Sequence, residues 1–479
     1  MKNTPRTAAI RTAVSWLSLV VLTLIMTGCI SVGPDYVRPE IPVYTEWNTH
    51  LQVNPVTMET DVQTLTDWWT TLDDPILSAL IGRAVKGNLD LKRGRAQVRK
   101  ARALRGIAVA GFLPTLEGGA SATSTRTNKD TGNGKTSDLY SASFDASWEL
   151  DLFGGVGRSV EAAQGDLQAS EENLRDVLVS LLAEVALNYL DVRTTQDRLN
   201  VAEVNLESQN ETYRLAQWRY QAGLSDELAV QQARYNLENT RSQIPVLRTS
   251  LEEAMNRVAV LLGEQPGKVH KELEQPRPIP VPPLQVALGV PADLLRRRPD
   301  VRKAERELAA QTARIGVATA DLYPKLTLSG SIGLETLSLS NPSTGLSTLS
   351  GGPRINWAIF KGGAIRQNIE AQSALQEQAL IQYESSILGA LEEVENALVA
   401  YVEVQRRRQS LSEATRAAQQ AAELARQKYE AGLTDFTVVL DAQRSLLSFQ
   451  EQLAISNGNV TSNLVRLYKA LGGGWTPEE

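Results

Sequence analysis

Residues 140–152 read Tyr-Ser-Ala-Ser-Phe-Asp-Ala-Ser-Trp-Glu-Leu-Asp-Leu. The even positions, Tyr140, Ala142, Phe144, Ala146, Trp148, Leu150 and Leu152, are apolar or aromatic. The odd positions, Ser141, Ser143, Asp145, Ser147, Glu149 and Asp151, are polar. Alternation with period two marks a β-strand with one apolar and one polar face. The pattern returns at 325–335, where Leu326, Leu328, Gly330, Ile332 and Leu334 alternate with Lys325, Thr327, Ser329, Ser331, Gly333 and Glu335. Weaker partners accompany each: small residues at 116–125, and 354–360 with Ile355, Trp357 and Ile359 on one side. Turn-rich stretches at 128–137 and 341–353 separate the partners. Each strand has about the length of a membrane-spanning β-strand, about 9–11 residues. A soluble sandwich hairpin alternates equally well; Trp148 and Trp357 near strand ends lean toward an interfacial aromatic belt.

A sheet in lipid must close, because an open edge leaves backbone groups unpaired at a cost of several kcal/mol each. Single-chain barrels begin at about eight strands. Four strands per chain therefore require a homo-oligomer, and two, three or four copies supply eight, twelve or sixteen strands.

The segments after the strands are unusually long helices. Residues 158–222 contain no Pro and one Gly (Gly165); residues 364–431 contain no Pro and one Gly (Gly389). Sixty-odd helical residues span roughly 100 Å, whereas globular helices average about 11–12 residues. Small and branched apolar residues are interspersed: Val177, Leu181, Val185, Leu187 and Leu190, then Ile387, Leu391, Val394 and Leu398. That is coiled-coil-like packing with neighbours on more than one side. Gly223 and Gly432 suit the left-handed position that ends a helix. Ser225 and Thr434 suit the N-cap of the returning helix.

The chain is a duplication. Tyr220-Gln-Ala-Gly-Leu224 returns as Tyr429-Glu-Ala-Gly-Leu433, and Gly106-Ile-Ala-Val-Ala-Gly-Phe-Leu-Pro114 as Gly316-Val-Ala-Thr-Ala-Asp-Leu-Tyr-Pro324. Leu262-Gly263 returns as Leu471-Gly472, and Gly154-Gly155 as Gly362-Gly363, all at an offset of about 208–210 residues. A bridge from Pro266 to Pro299 holds eight prolines, which excludes continuous helix there.

The N-terminus is an address. Lys2, Arg6 and Arg11 precede an apolar stretch, 13–26, too short for comfortable bilayer spanning but right for a signal-peptide core. It ends in Met26-Thr27-Gly28-Cys29. Small residues before the only Cys resemble a bacterial lipoprotein box, which implies cleavage before Cys29 and its acylation. A plain signal peptide with an incidental Cys is the alternative. Ile30, rather than Asp, at the following position implies outer-membrane sorting by similarity to known lipoproteins.

Composition narrows the function. One Cys cannot pair within its own chain, so a disulfide scaffold is excluded. His50 and His270 are the only histidines, which argues against a zinc or di-iron centre, and no cofactor is expected. A pI near 5.4 argues against nucleic-acid binding. At 42% apolar residues the chain lacks the repeated runs of a polytopic helical membrane protein.

Further motifs complete the pattern: Gly33-Pro34-Asp35-Tyr36-Val37-Arg38-Pro39, Trp68-Trp69, Asp74-Pro75 with Leu77, Asn88-Leu89-Asp90-Leu91, Glu149-Leu-Asp-Leu-Phe-Gly154 and Asp441-Ala-Gln-Arg444. In this order, with the duplication, the mature chain resembles the outer-membrane lipoprotein channels of tripartite efflux pumps, the TolC/OprM-like (NodT) family. The resemblance implies an α+β membrane protein, a homotrimer whose duplicated units form a 12-stranded outer-membrane β-barrel continuous with a long periplasmic α-helical barrel. It implies a periplasmic adaptor and an inner-membrane RND-type transporter as partners, and no enzymatic activity. The expected organisation is a signal peptide (1–28), an acylated extended segment (29–75), a first repeat (76–263), a Pro-rich linker (264–299), a second repeat (300–472) and a tail (473–479). Strands are expected at 113–126, 138–152, 324–336 and 353–361, and helices at 158–222, 225–262, 364–431 and 434–471. A type I protein-secretion channel and a non-conducting envelope lipoprotein are the rival readings; the anchor and the Gly33–Pro39 motif favour the pump branch.

The resemblance also places functional residues. A gate at the helical tips falls on Lys428, Tyr429, Thr437, Asp441 and Arg444. Thr437 stands where the family often has a bulky apolar residue, which speaks against an apolar plug. Three copies of Asp441 would bring like charges together unless Arg444 or Lys428 compensates; an ordinary surface pair at i, i+3 is the alternative. The corresponding places in the first hairpin hold Gln232 and Tyr235. Adaptor docking falls on Gly223, Leu224 and Ser225, and on Gly432, Leu433 and Thr434. Asp145, Glu149 and Asp151 are candidate lumen charges with a mild cation preference; salt bridges to neighbouring strands are the alternative.

Overall fold

The computed structural model describes residues 31–40, 42, 62–128, 134–280, 297–338 and 346–476. The signal segment, Cys29 and residues 281–296 of the linker lie outside the described residues. The first elements are α1 (Val62–Thr66), a 3-10 turn (Trp68–Leu72) and α2 (Pro75–Gly87). The first repeat follows as α3 (Leu89–Ala110), β1 (Thr115–Arg126), β2 (Thr136–Leu150), α4 (Gly155–Gln221) and α5 (Glu227–Leu261). A short α6 (His270–Leu273) precedes the second repeat: α7 (Pro299–Ala320), β3 (Lys325–Thr336), β4 (Leu346–Asn356), α8 (Ala364–Glu430) and α9 (Phe436–Ala470). Corresponding helices have equal lengths: α4 and α8 are 67 residues each, α5 and α9 are 35.

The chain divides into two compact units. One gathers described residues within 1–40, 98–170 and 303–383. Its centre is a four-stranded antiparallel sheet in the order β1-β2-β3-β4. Register aligns the two faces across all four strands. Gly118, Phe144, Ile332 and Leu349 form one apolar row; Glu117, Asp145, Ser331 and Ser350 form a polar row on the other face. The apolar face is bare: Leu116, Phe144, Ile332, Leu334, Leu349 and Ile355 are all exposed. β1 and β4 each pair on one side only, so the sheet has two open edges.

Two tryptophans fix the helix-to-strand elbows in the same way. Trp148 Nε1 donates to Phe112 O at 2.9 Å, and Trp357 Nε1 to Leu322 O at 3.0 Å. β4 differs from expectation. It runs Leu346–Asn356 rather than 353–361, so Trp357 and Ile359 lie past its end. Gly351-Gly352-Pro353 reads as a turn, but the register with β3 keeps all three in the strand, opposite Gly330, Ser329 and Leu328. β2 likewise ends at Leu150, leaving Asp151 and Leu152 beyond the strand.

The same unit holds the N-terminal motif as a strap. Arg158, nearly buried, donates to Val32 O at 3.1 Å and Gly33 O at 3.3 Å and pairs with Asp35 at 2.6 Å. Gly33 has φ +87°, and a Cβ there would stand 2.4 Å from Gly316 Cα. Strap and helix therefore meet glycine to glycine. Tyr36 and Arg38 both reach Glu305 on α7.

The second unit gathers described residues within 41–97, 171–302 and 384–479. Its core packs α2 against the middle of α4, the end of α5, part of α8 and the end of α9. Trp68 is buried, stacked on Tyr468 at 5.7 Å and edge-on to Trp69. The short motifs become caps. Asp74 Oδ1 accepts from Ile76 N and Leu77 N at the start of α2. Asn88 Oδ1 accepts from Asp90 N and Leu91 N at the start of α3, while its Nδ2 donates to Leu261 O. Tyr189 donates to Asp74 Oδ2 at 2.5 Å and accepts from Arg193 Nε. Burial, reinforced by the Asp74 bond, pushes its hydroxyl up to about 12.

Candidate functional site

The two helical hairpins close with one backbone solution. Gly223 and Gly432 have φ +71° and +73°. Leu224 N donates to Arg219 O and Gly223 N to Tyr220 O; Leu433 N donates to Lys428 O and Gly432 N to Tyr429 O. This paired closure satisfies the last carbonyls of α4 and α8. The N-caps are Asp226 and Asp435, one residue after Ser225 and Thr434. Asp226 accepts from Ala229 N at 3.0 Å, so its carboxylate both caps α5 and meets the positive helix end. The turn residues Leu224 and Leu433 are exposed, 67% and 76%. Gly223, Ser225, Gly432 and Thr434 flank them.

Beneath the turns the hairpins share a small apolar cluster of Ala216, Ala229, Ala233, Ala425, Tyr429, Phe436, Val439 and Leu440. Tyr429 is buried here against Phe436, ring centres 5.1 Å apart. Arg219 crosses from the first hairpin to the second. Its guanidinium lies 4.6 Å over the Tyr429 ring, and Nη1 donates to the carbonyls of Tyr429 and Glu430. Sequence reasoning missed Arg219, although the duplication sets it in register with Lys428.

The candidate gate residues separate into two groups. Tyr429 is buried and Arg444 is held by the first hairpin, with Nε on Asn236 Oδ1 at 3.1 Å and Nη2 on Tyr235 Oη at 2.6 Å. Lys428, Thr437 and Asp441 are exposed. Asp441 stands 3.9 Å from Arg444, at the limit of an ion pair. Deeper in, Gln443 donates to Thr212 and Asn205 to Gln450, joining α4 to α9 through amides.

Asp145 and Glu149 lie on the polar face of the sheet. Asp145 accepts from Ser143 Oγ at 2.8 Å and sits opposite Glu117 and Ser331; Glu149 sits opposite Thr327, which in turn faces Arg354. Asp151 is placed differently from the other two. Its carboxylate accepts from Val156 N and Gly157 N, capping α4, because the strand ends one residue before it. No group of three His, Cys, Asp or Glu side chains placed to hold a metal ion occurs among the described residues.

The comparisons with known proteins agree with one another. The family model described as Outer membrane efflux protein matches residues 80–264 and again residues 290–473, once on each repeat. The toluene efflux pump outer membrane protein TtgF of Pseudomonas putida is 32% identical over 465 residues, covering 95% of this chain and 96% of that protein. The probable outer membrane lipoprotein SilC of Salmonella typhimurium is 30% identical over 462 residues, covering 94% and 97%. Among solved structures, the outer-membrane channel OprN superposes with a TM-score of 0.86 at 36% identity, covering 93% of this chain and all of that one.

Proposed function

The chain belongs to the outer membrane efflux protein family, and from that premise we propose how it works as the outer-membrane channel of a tripartite efflux pump. It is an outer-membrane lipoprotein, anchored through Cys29. The observation that carries the mechanism is the sheet: four strands, one bare apolar face, one polar face and two open edges. In lipid those edges must be paired. β4 of one copy pairs with β1 of the next, and three copies give a closed barrel of about twelve strands. The apolar face meets lipid and the polar face, with Asp145 and Glu149, lines water.

The helices carry the duct into the periplasm, and the two hairpin turns of each copy meet a periplasmic adaptor. An inner-membrane transporter of the RND class supplies the energy; the duct is passive and catalyses no reaction. Drugs or other toxic small molecules are its cargo. Exposed leucines on glycine turns fit docking, since Leu224 and Leu433 present apolar side chains on a rigid backbone. The gate is the ring of tips, where Asp441 faces the lumen and Arg444 ties the two hairpins of one copy together.

Two measurements test this. Purified protein is expected to run as a trimer and to conduct ions in a planar bilayer. A strain lacking the gene is expected to become drug- or toxin-sensitive and to be restored by the intact chain. A trimer that does not conduct would leave the structural-lipoprotein reading in its place.

A further inference from the structure

The duplication and the Arg219 contact together point to a partner for Lys428. At the common offset of about 209 residues, Lys428 corresponds to Arg219, Tyr429 to Tyr220 and Phe436 to Glu227. Within the chain the hairpins abut along one seam. There Arg219 Nη1 reaches Tyr429 O at 2.9 Å and Glu430 O at 3.3 Å, over a ring that packs on Phe436. Among the described residues the corresponding parts on the other side of each hairpin bond only within their own hairpin: Tyr220 O accepts from Gly223 N and Glu227 from Gln231. Tyr220 is 46% exposed against 4% for Tyr429. Glu227 and Lys428 are exposed, and Lys428 forms no ion pair among the described residues. Each chain thus carries a second arm, Lys428, and a second socket, the C-terminal end of α4, on faces that its own hairpins do not bring together.

We propose that Lys428 of one copy caps the α4 end of the next, donating to the carbonyls of Tyr220 and Gln221 and pairing with Glu227. This rests on the trimer. In a closed ring of hairpins each has two neighbours, one in its own chain and one in the next copy, so the second seam repeats the first with the repeats exchanged. A cation at a helix C-terminus is favourable, as is an ammonium over a tyrosine ring. The two seams nevertheless differ in chemistry. Where the first has Phe436 and Leu440 at its centre, the second has Glu227 and Gln231. The seam between copies is therefore ionic and screened by salt, while the seam within a copy is apolar and guanidinium-locked. The ring of tips parts first between copies.

A thiol pair tests the contact. Cys29 is the only native cysteine, so Lys428→Cys with Gln221→Cys adds the only other thiols. Mild oxidation of membrane-embedded protein is expected to give reducible covalent trimers on a denaturing gel. A native trimer that yields only monomer on that gel overturns the proposal. An unmodified protein that is not trimeric overturns the oligomer itself, and the proposal with it. Conductance supplies a second reading. Lys428→Ala is expected to raise the resting current at low salt by up to about fivefold, the range of an exposed ion pair, and to flatten its salt dependence. Lys428→Arg should keep both. A Lys428→Ala channel with unchanged low-salt current also overturns the proposal.

Discussion

Arg444 Nη2 donates to Tyr235 Oη at 2.6 Å, and the two residues occupy corresponding places in the two repeats, 209 positions apart. The guanidinium also lies 5.2 Å over the Tyr235 ring. Each repeat thus supplies half of one tie between α5 and α9. Asp441 competes poorly for the same guanidinium, being 3.9 Å away with its side chain 77% exposed. An exposed i, i+3 ion pair contributes about 0.2–0.5 kcal/mol, whereas a hydrogen bond to a charged group contributes about 1.5–3 kcal/mol. Arg444 therefore belongs to Tyr235 and Asn236.

Tyr235→Phe removes the hydroxyl and keeps the ring. It is expected to loosen the tip by about 1–2 kcal/mol and to raise the resting conductance of the purified channel in a planar bilayer. Tyr235→Ala, which also removes the ring under the guanidinium, should raise it further. Equal resting currents in wild type and both variants would show that this tie does not hold the tip.

Asp441 predicts selectivity rather than closure. Its carboxylate is largely in solvent, so in the proposed ring of tips three copies of it would attract cations. Asp441→Asn is expected to shift the reversal potential in a salt gradient toward zero cation preference. If the potential is unchanged, the cation preference arises elsewhere, with Asp145 and Glu149 on the sheet as the next residues to neutralise.

The turns predict a separation of assembly from export. Proline cannot adopt the positive φ of Gly223 or Gly432 and lacks the N–H that each donates to Tyr220 O or Tyr429 O. Gly223→Pro and Gly432→Pro are expected to abolish export while trimers still form, since the long helices pack elsewhere. Leu224→Asp and Leu433→Asp leave the backbone intact and place a charge on the exposed turns proposed to dock the adaptor. Full drug resistance in the leucine variants would remove these turns from the docking surface.

Much of the fold was readable because its signals are periodic. Alternation at 140–152 and 325–335 identified β2 and β3, and unbroken runs without Pro identified α4 and α8 to within a few residues. β4 was misplaced because Gly351-Gly352-Pro353 obeys turn chemistry locally, and only the register with β3 shows that it is strand. The N-caps shifted by one residue because Ser225 and Asp226, like Thr434 and Asp435, are all residues that suit the position; Asp226 makes the side-chain cap bond, while Asp435 holds the place without one. Asp151 kept the parity of a lumen residue although the strand had already ended. Arg219 and the Tyr235 tie stayed hidden for another reason. Contacts between hairpins depend on how two repeats meet, and one repeat's periodicity carries no information about that.

The strap predicts a stability effect far from the tips. Arg158 is 5% exposed in its side chain and holds Asp35 with two strap carbonyls. Gly33→Ala would force a Cβ against Gly316 at a positive φ. It is expected to free the strap at a cost of about 1–3 kcal/mol, seen as protease cleavage near residues 31–40 in otherwise intact trimers. Arg158→Ala should give the same cleavage by removing the anchor rather than the fit. Protection equal to wild type in both would mean that the strap is held by other contacts.

Asp197 predicts a pH effect. It lines a cleft with Arg277, Arg408 and Asn457, and burial raises its carboxyl above the ordinary range. A folded-state value above the unfolded one means that the folded protein holds the proton more tightly. The stability it contributes is therefore present below the ordinary carboxylate value of about 3.9 and is lost as pH rises through the folded value. At neutral pH the half-buried carboxylate is a cost. Asp197→Asn is expected to raise the temperature at which the trimer dissociates at pH 7 and to converge with wild type near pH 4. A variant that is less stable at pH 7 would mean that the carboxylate is compensated, with Arg277 and Arg408 as the first partners to substitute.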